Sequence, residues 1–212
     1  MRINLTYLAV ALSVSLTGTS MAADEGIIKQ GQELFEQNCR ACHQADAIGK
    51  PGLAPSLVAP EFLSIASDEF FMKTITEGRA GTSMIPMGHL GEEKIKTIVT
   101  YLRSNGNLPD RSAEVDAQAD AHGDPRLGKQ WFDNICSTCH GVKGDGYAAG
   151  GTGTAIGKAG FLNRVSDGFI RTTIKEGRSG TRMLSFTKST GLANLSGREI
   201  DDIIVYLRTL AE

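Results

Sequence analysis

Cysteine occurs four times in the 212 residues, and all four fall in two copies of one pattern, Cys39-Arg40-Ala41-Cys42-His43 and Cys136-Ser137-Thr138-Cys139-His140. Thiols at this spacing can add to the two vinyl groups of one porphyrin while the adjoining histidine reaches the iron from the same short segment. That is the chemistry of c-type haem attachment. The pattern predicts two covalent haem c groups, with His43 and His140 as the proximal iron ligands. A lone Cys-x-x-Cys also suits half a zinc site or a dithiol redox pair. Its duplication, with a histidine each time, decides against both.

A haem iron with only a proximal histidine can bind peroxide or oxygen, so the sixth ligand separates an electron carrier from an enzyme or sensor. Met84 and Met183 are expected to fill it. They hold equal places in an internal repeat, about 40 residues after each histidine, in a loop before the last helix of each copy. Met87 competes locally in Met84-Ile85-Pro86-Met87, but the residue that matches it is Phe186, which favours Met84. His89 would give a bis-histidine site and has no counterpart in the second copy, and His122 lies between the copies. Arg79 and Arg178 recur five residues before each methionine. Two readings stand for them: forked hydrogen bonding to haem propionates, or ordinary exposed arginines. Pro55 is expected to present a carbonyl to the free ring nitrogen of His43, fixing its tautomer and raising its basicity. No proline stands at the matching place in the second copy.

The elements that position these groups follow from the repeat. Phe62-Leu63 matches Phe161-Leu162, and Glu77-Gly78-Arg79-x-Gly81-Thr82-x-Met84 matches Glu176-Gly177-Arg178-x-Gly180-Thr181-x-Met183, both at an offset of 99 residues. Ile95-x-x-Ile98-Val99-x-Tyr101-Leu102-Arg103 matches Ile200-x-x-Ile203-Ile204-x-Tyr206-Leu207-Arg208 at 105, so about six extra residues follow Met183. Helices are expected over 27–38, from Ser67 to Gly78 and over 91–103, and again over 124–135, 166–177 and 196–210. No segment shows sustained period-two alternation, and the fold class is all-α. The division is a leader over 1–22, a first domain over 23–105, a linker over 106–124 and a second domain over 125–212. The glycine-rich stretch 141–160 fails the spacing of a phosphate-binding loop and reads as a flexible cover over one haem edge.

Arg2 followed by an apolar run over 5–16 that ends in Ser20-Met21-Ala22 reads as a secretory signal, which places the mature chain in the periplasm. The run is short for a hydrocarbon core of roughly 30 Å. Membrane association remains open through a partner or an uncleaved N-terminus. The first domain carries a net charge of −3, the linker −4 and the second domain +4. Such a dipolar chain suits oriented docking to a charged partner, and it equally suits two solvated faces with no docking role. No nucleic-acid partner is expected.

With both haem motifs, both glycine-to-phenylalanine openings (Gly31 to Phe35, Gly128 to Phe132), both methionine loops and both Tyr-Leu-Arg endings, the chain resembles tandem class I cytochromes c over nearly all its mature length. The resemblance implies a first helix crossing the last, with Gly31, Phe35 and Tyr101 in contact in one domain and Gly128, Phe132 and Tyr206 in the other. It implies an electron-transfer protein rather than an enzyme, with redox partners such as a terminal oxidase, a cytochrome complex or a dehydrogenase. The alternatives are a permanent haem subunit of a periplasmic dehydrogenase, or a di-haem peroxidase or thiosulfate dehydrogenase.

Overall fold

A computed structural model describes residues 18–187 and 193–211, with side chains from residue 24 onward. The leader expected over 1–22 and the extra residues expected after Met183 lie largely outside this description. Every regular element among the described residues is helical, apart from one isolated bridge between Lys50 and Ala54. The chain is all-α. None of these helices is long and apolar enough to cross a membrane.

The first domain runs through α1 (Gly18–Asn38), α2 (Arg40–His43), α3 (Pro60–Ile65), α4 (Asp68–Glu77) and α5 (Glu92–Ser104). The second repeats it as α7 (Pro125–Trp131), α8 (Ser137–His140), α9 (Ala159–Leu162), α10 (Asp167–Glu176) and α11 (Gly197–Thr209), with α6 (Ser112–Asp116) between them. Ser67 and Ser166 cap α4 and α10 by accepting from Phe70 N at 3.1 Å and Phe169 N at 3.0 Å. Ser196 and Glu199 form a capping box on α11. Gly91 opens α5 with no side-chain cap. Each serine satisfies an amide that has no partner within its own helix.

The crossing of first and last helix is the frame of each domain. A Cβ on Gly31 would run into the Thr97 carbonyl and lie 2.7 Å from Tyr101 Cβ; one on Gly128 would run into the Asp202 carbonyl and lie 2.9 Å from Tyr206 Cβ. Only glycine lets the backbones approach this closely. One turn further on, Phe35 and Phe132 are 0% exposed. Their rings meet Tyr101 and Tyr206 at 5.5 Å and 5.4 Å. The terminal arginines tie the crossing to the rest of each domain. Arg103 donates from Nη2 to Ala66 O at 2.5 Å and Arg208 to Val165 O at 2.8 Å, and their Nη1 atoms bind the Leu63 and Leu162 carbonyls. Leu63 O, Ala66 O and Leu162 O stand at the ends of α3 and α9, where a helix leaves carbonyls without partners, and Val165 O lies just past α9.

Two expectations are corrected. Helix α1 begins at Gly18 rather than 27, so helix runs well ahead of the apolar face of Leu34 and Phe35. The first helix of the second domain stops as an α-helix at Trp131, and the chain reaches Cys136 through a wide π-type turn over Phe132–Cys136, a local widening that often marks a functional segment. The segment between the domains is ordered by specific contacts. Val115 on α6 is 2% exposed. Arg111 N donates to Ser64 O at 2.7 Å while the Arg111 guanidinium forks onto Glu176 at 2.9 and 2.7 Å, so one residue holds both domains.

Aromatic rings join the domains directly. Phe169 stacks on Phe70 at 5.6 Å and meets Phe62 and Phe161 edge-on at 6.4 and 6.2 Å. Arg164 pairs with Glu77 at 2.7 Å, and Glu61 accepts from Ser179 N at 2.8 Å.

Candidate haem-binding sites

In each domain a short helix, α2 or α8, carries the second cysteine and the histidine, while Cys39 and Cys136 stand just ahead of it. The amides of Cys42 and His43 both donate to Cys39 O, at 3.2 and 3.0 Å, which winds the motif into one turn with thiols and imidazole close together. All four cysteines are free and half-buried. Burial, and the neighbouring cysteine in each pair, push the Cys39 thiol up to about 11 and the Cys136 thiol up to about 12. A dithiol redox centre needs the opposite, a thiol lowered toward neutrality. Among the described residues no cluster of three or more His, Cys, Asp or Glu is arranged to hold a metal ion by itself.

Both imidazoles are fixed by a backbone carbonyl. His43 Nδ1 lies 3.1 Å from Pro55 O, and His140 Nδ1 lies 2.7 Å from Thr154 O. Held at Nδ1, each ring keeps Nε2 as the atom that would ligate an iron. Burial lowers the pKa of both rings and favours the neutral form that can ligate. Thr154 escaped the sequence reading because a proline was sought at that place, whereas the contact needs only a carbonyl.

The stretch 141–160 is a folded structure and not a flexible cover. Its glycine amides and carbonyls bond back on themselves and on the haem motif: Gly153 N donates to Cys139 O at 2.8 Å, and Ile156 N and Gly157 N both donate to Gly144 O, at 2.9 and 3.0 Å. A Cβ on Gly153 would sit 2.7 Å from His140 Nδ1, so glycine here makes room for the imidazole.

Met84 and Met183 occupy loops that repeat bond for bond. Arg79 N donates to Met84 O at 2.8 Å and Arg178 N to Met183 O at 2.6 Å. Thr82 and Thr181 donate their hydroxyls to the Arg79 and Arg178 carbonyls at 2.7 and 2.8 Å, and accept from Met84 N and Met183 N at 3.1 and 3.0 Å. The threonines thus set where each methionine emerges, a role the repeat displayed as an unchanged Gly-Thr and the sequence reading did not use. Met183 packs against the core and so does Met87, whose amide donates to Ile75 O as that of Phe186 does to Ile174 O. Met84 is half-buried, while His89 and His122 are exposed. Arg79 and Arg178 are not ordinary surface arginines, because each lies over a phenylalanine of the other domain.

These residues fit two c-type haems: unpaired thiols beside an imidazole already oriented through Nδ1, twice over. Residues 26–102 match the family model described as cytochrome c oxidase, cbb3-type, subunit III, and residues 126–211 the model described as cytochrome c. The cbb3-type cytochrome c oxidase subunit CcoP of Rubrivivax gelatinosus is 34% identical over 147 residues, which are 68% of this chain and 44% of that subunit. The cytochrome bc1 complex cytochrome c subunit of Mycobacterium tuberculosis is 27% identical over 156 residues, 66% of this chain and 54% of that protein. The chain thus spans about half the length of these relatives or less. A reducing HAO-like protein complex of Kuenenia stuttgartiensis contains a chain of the same fold, with a TM-score of 0.52, 24% identity and coverage of 87% of this chain and 96% of that one.

Proposed function

This chain belongs to the cytochromes c, with two such domains in tandem and a covalent haem c in each, and from that electron-transfer identity we propose a periplasmic carrier of single electrons between respiratory or dehydrogenase partners. When bound, each haem supplies an iron that takes up or gives up one electron. The residues do the rest. Cys39, Cys42, Cys136 and Cys139 would hold the groups, and His43 with Met84 and His140 with Met183 would ligate the irons. Two protein ligands to each iron would leave no position for substrate, and a thioether ligand raises the potential of a haem. The reading is therefore of a carrier and not of an enzyme.

One observation carries this reading: the two Gly-Arg-x-Gly-Thr-x-Met loops repeat the same hydrogen bonds, and each presents its methionine in a domain whose histidine is already fixed from behind. Exposed apolar side chains beside the ligands suit brief contact with protein partners: Ile85 and Leu184, each next to its methionine, are 61% and 45% exposed, and Val142, two residues past His140, is 69% exposed. The oxidase and bc1 subunits among the relatives support partners of the respiratory kind. The test is a potentiometric titration of the purified full chain, with cyanide and azide added to the ferric form. Potentials in the range of His-Met haems and no ligand binding at mild concentration are expected. Potentials well below zero in both domains, or ready binding of either anion, would replace the carrier by a bis-histidine protein or an enzyme.

A further inference from the structure

Where the domains meet, one arginine of each domain reaches over an aromatic ring of the other. Arg79 leaves the methionine loop of the first domain, places its guanidinium 4.8 Å over the Phe161 ring of the second and donates from Nη2 to Ala155 O at 2.8 Å. Arg178 crosses the other way, 4.6 Å over Phe62, and its buried Nε has no hydrogen-bond partner. Neither arginine joins an ion pair among the described residues. Burial, with Arg164 near Arg79 and Arg79 near Arg178, pushes both guanidiniums down to about 10. A buried charge is stable only when it is paired, and a forked guanidinium pairs best with a carboxylate. Two cations are therefore gathered at one place; the Glu61 carboxylate acts on Arg178 without forming an ion pair with it, and among the described residues no carboxylate pairs with either guanidinium.

The place belongs more to the second domain than to the first. Ala155, which accepts from Arg79, follows Thr154, the residue whose carbonyl fixes His140. Both arginines also act on Tyr147, which lies in the turn Gly146–Ala149, an element with no counterpart in the first domain. On the di-haem reading above, we propose that Arg79 and Arg178 together bind the carboxylates of the haem attached at Cys136 and Cys139, so that the first domain completes the second domain's cofactor site. Cationic pairing at this edge would favour the reduced iron and raise the potential of the second site.

The test is a redox titration of the full holo-chain bearing Arg79→Gln, Arg79→Lys or Arg111→Gln, with Met183→His marking which wave belongs to the second domain. Arg79→Gln is expected to lower the second potential by a tenfold change in its one-electron equilibrium, about 59 mV, and to leave the first in place. Arg79→Lys should restore part of the shift. Arg111→Gln removes the fork onto Glu176 and should move neither wave. A shift of the first wave alone, no shift, or an equal shift from Arg111→Gln overturns the proposal while leaving the carrier reading intact. A haemochrome count on the wild-type sample below two haems per chain overturns both.

Discussion

The two domains reach the same histidine geometry by different means. The first uses the carbonyl of Pro55, at the end of a short connection with the isolated bridge from Lys50 to Ala54 beside it; the second uses Thr154, inside a glycine-rich loop folded against the Cys139 carbonyl. The comparison teaches that the chemistry asks for an acceptor at Nδ1 and not for a particular residue. A rigid ring provides it once. Close backbone packing, possible only without side chains, provides it the second time. The helix crossings, by contrast, are the same in both copies down to the glycine, the phenylalanine and the tyrosine.

The largest expected effect tests that sameness. Phe35→Ala and Phe132→Ala each empty a fully buried ring site and should each lower stability by about 3–5 kcal/mol in denaturant unfolding of the holo-chain. A cost below about 1 kcal/mol at either position would show that the crossings are not equivalent. Gly153→Ala should come next, at about 1–3 kcal/mol from overpacking against His140, and should alter the spectrum of the second haem alone. At the matched place the first domain already carries Ala54, so Ala54→Gly should leave the first haem's spectrum unchanged. A change in both haems after Gly153→Ala would break the argument that the loop serves only His140.

Ser196→Ala removes the capping box of α11 and should cost about 1 kcal/mol. Gly91, which opens α5 without a side-chain cap, makes the comparison: α11 should fray earlier than α5 in hydrogen exchange of the variant and later in the parent. Smallest is Arg111→Ala. Its fork onto Glu176 is partly exposed and should contribute about 0.2–1 kcal/mol, seen as a small drop in the unfolding midpoint that shrinks further in high salt.

Much of this was legible in the residues. Cys-x-x-Cys-His is compact enough that local spacing fixes its geometry, the repeat placed the serine caps and the methionine loops because each depends on a few neighbouring residues, and the crossing glycines came from the resemblance to class I cytochromes c. What sequence could not convey were the contacts made between copies. Arg79 lies over Phe161 and Arg178 over Phe62, and an offset between matching residues says nothing about whether matching surfaces face each other. The segment after α5 was polar and alanine-rich, with one proline, and read as a linker. Its order comes from Ser64, Asp167, Glu176 and Asp202, all distant in sequence. The loop over 141–160 read as flexible because glycine permits flexibility, while here it permits close approach.

The carrier reading rests on a methionine at each iron, and the weak sulfur-to-iron band of the oxidised absorption spectrum tests it most directly. Recorded for the parent chain, Met84→Ala, Met183→Ala and the double variant, the band is predicted to fall by about half in each single variant and to vanish in the double. A band absent from the parent, or undiminished in either single variant, would contradict it.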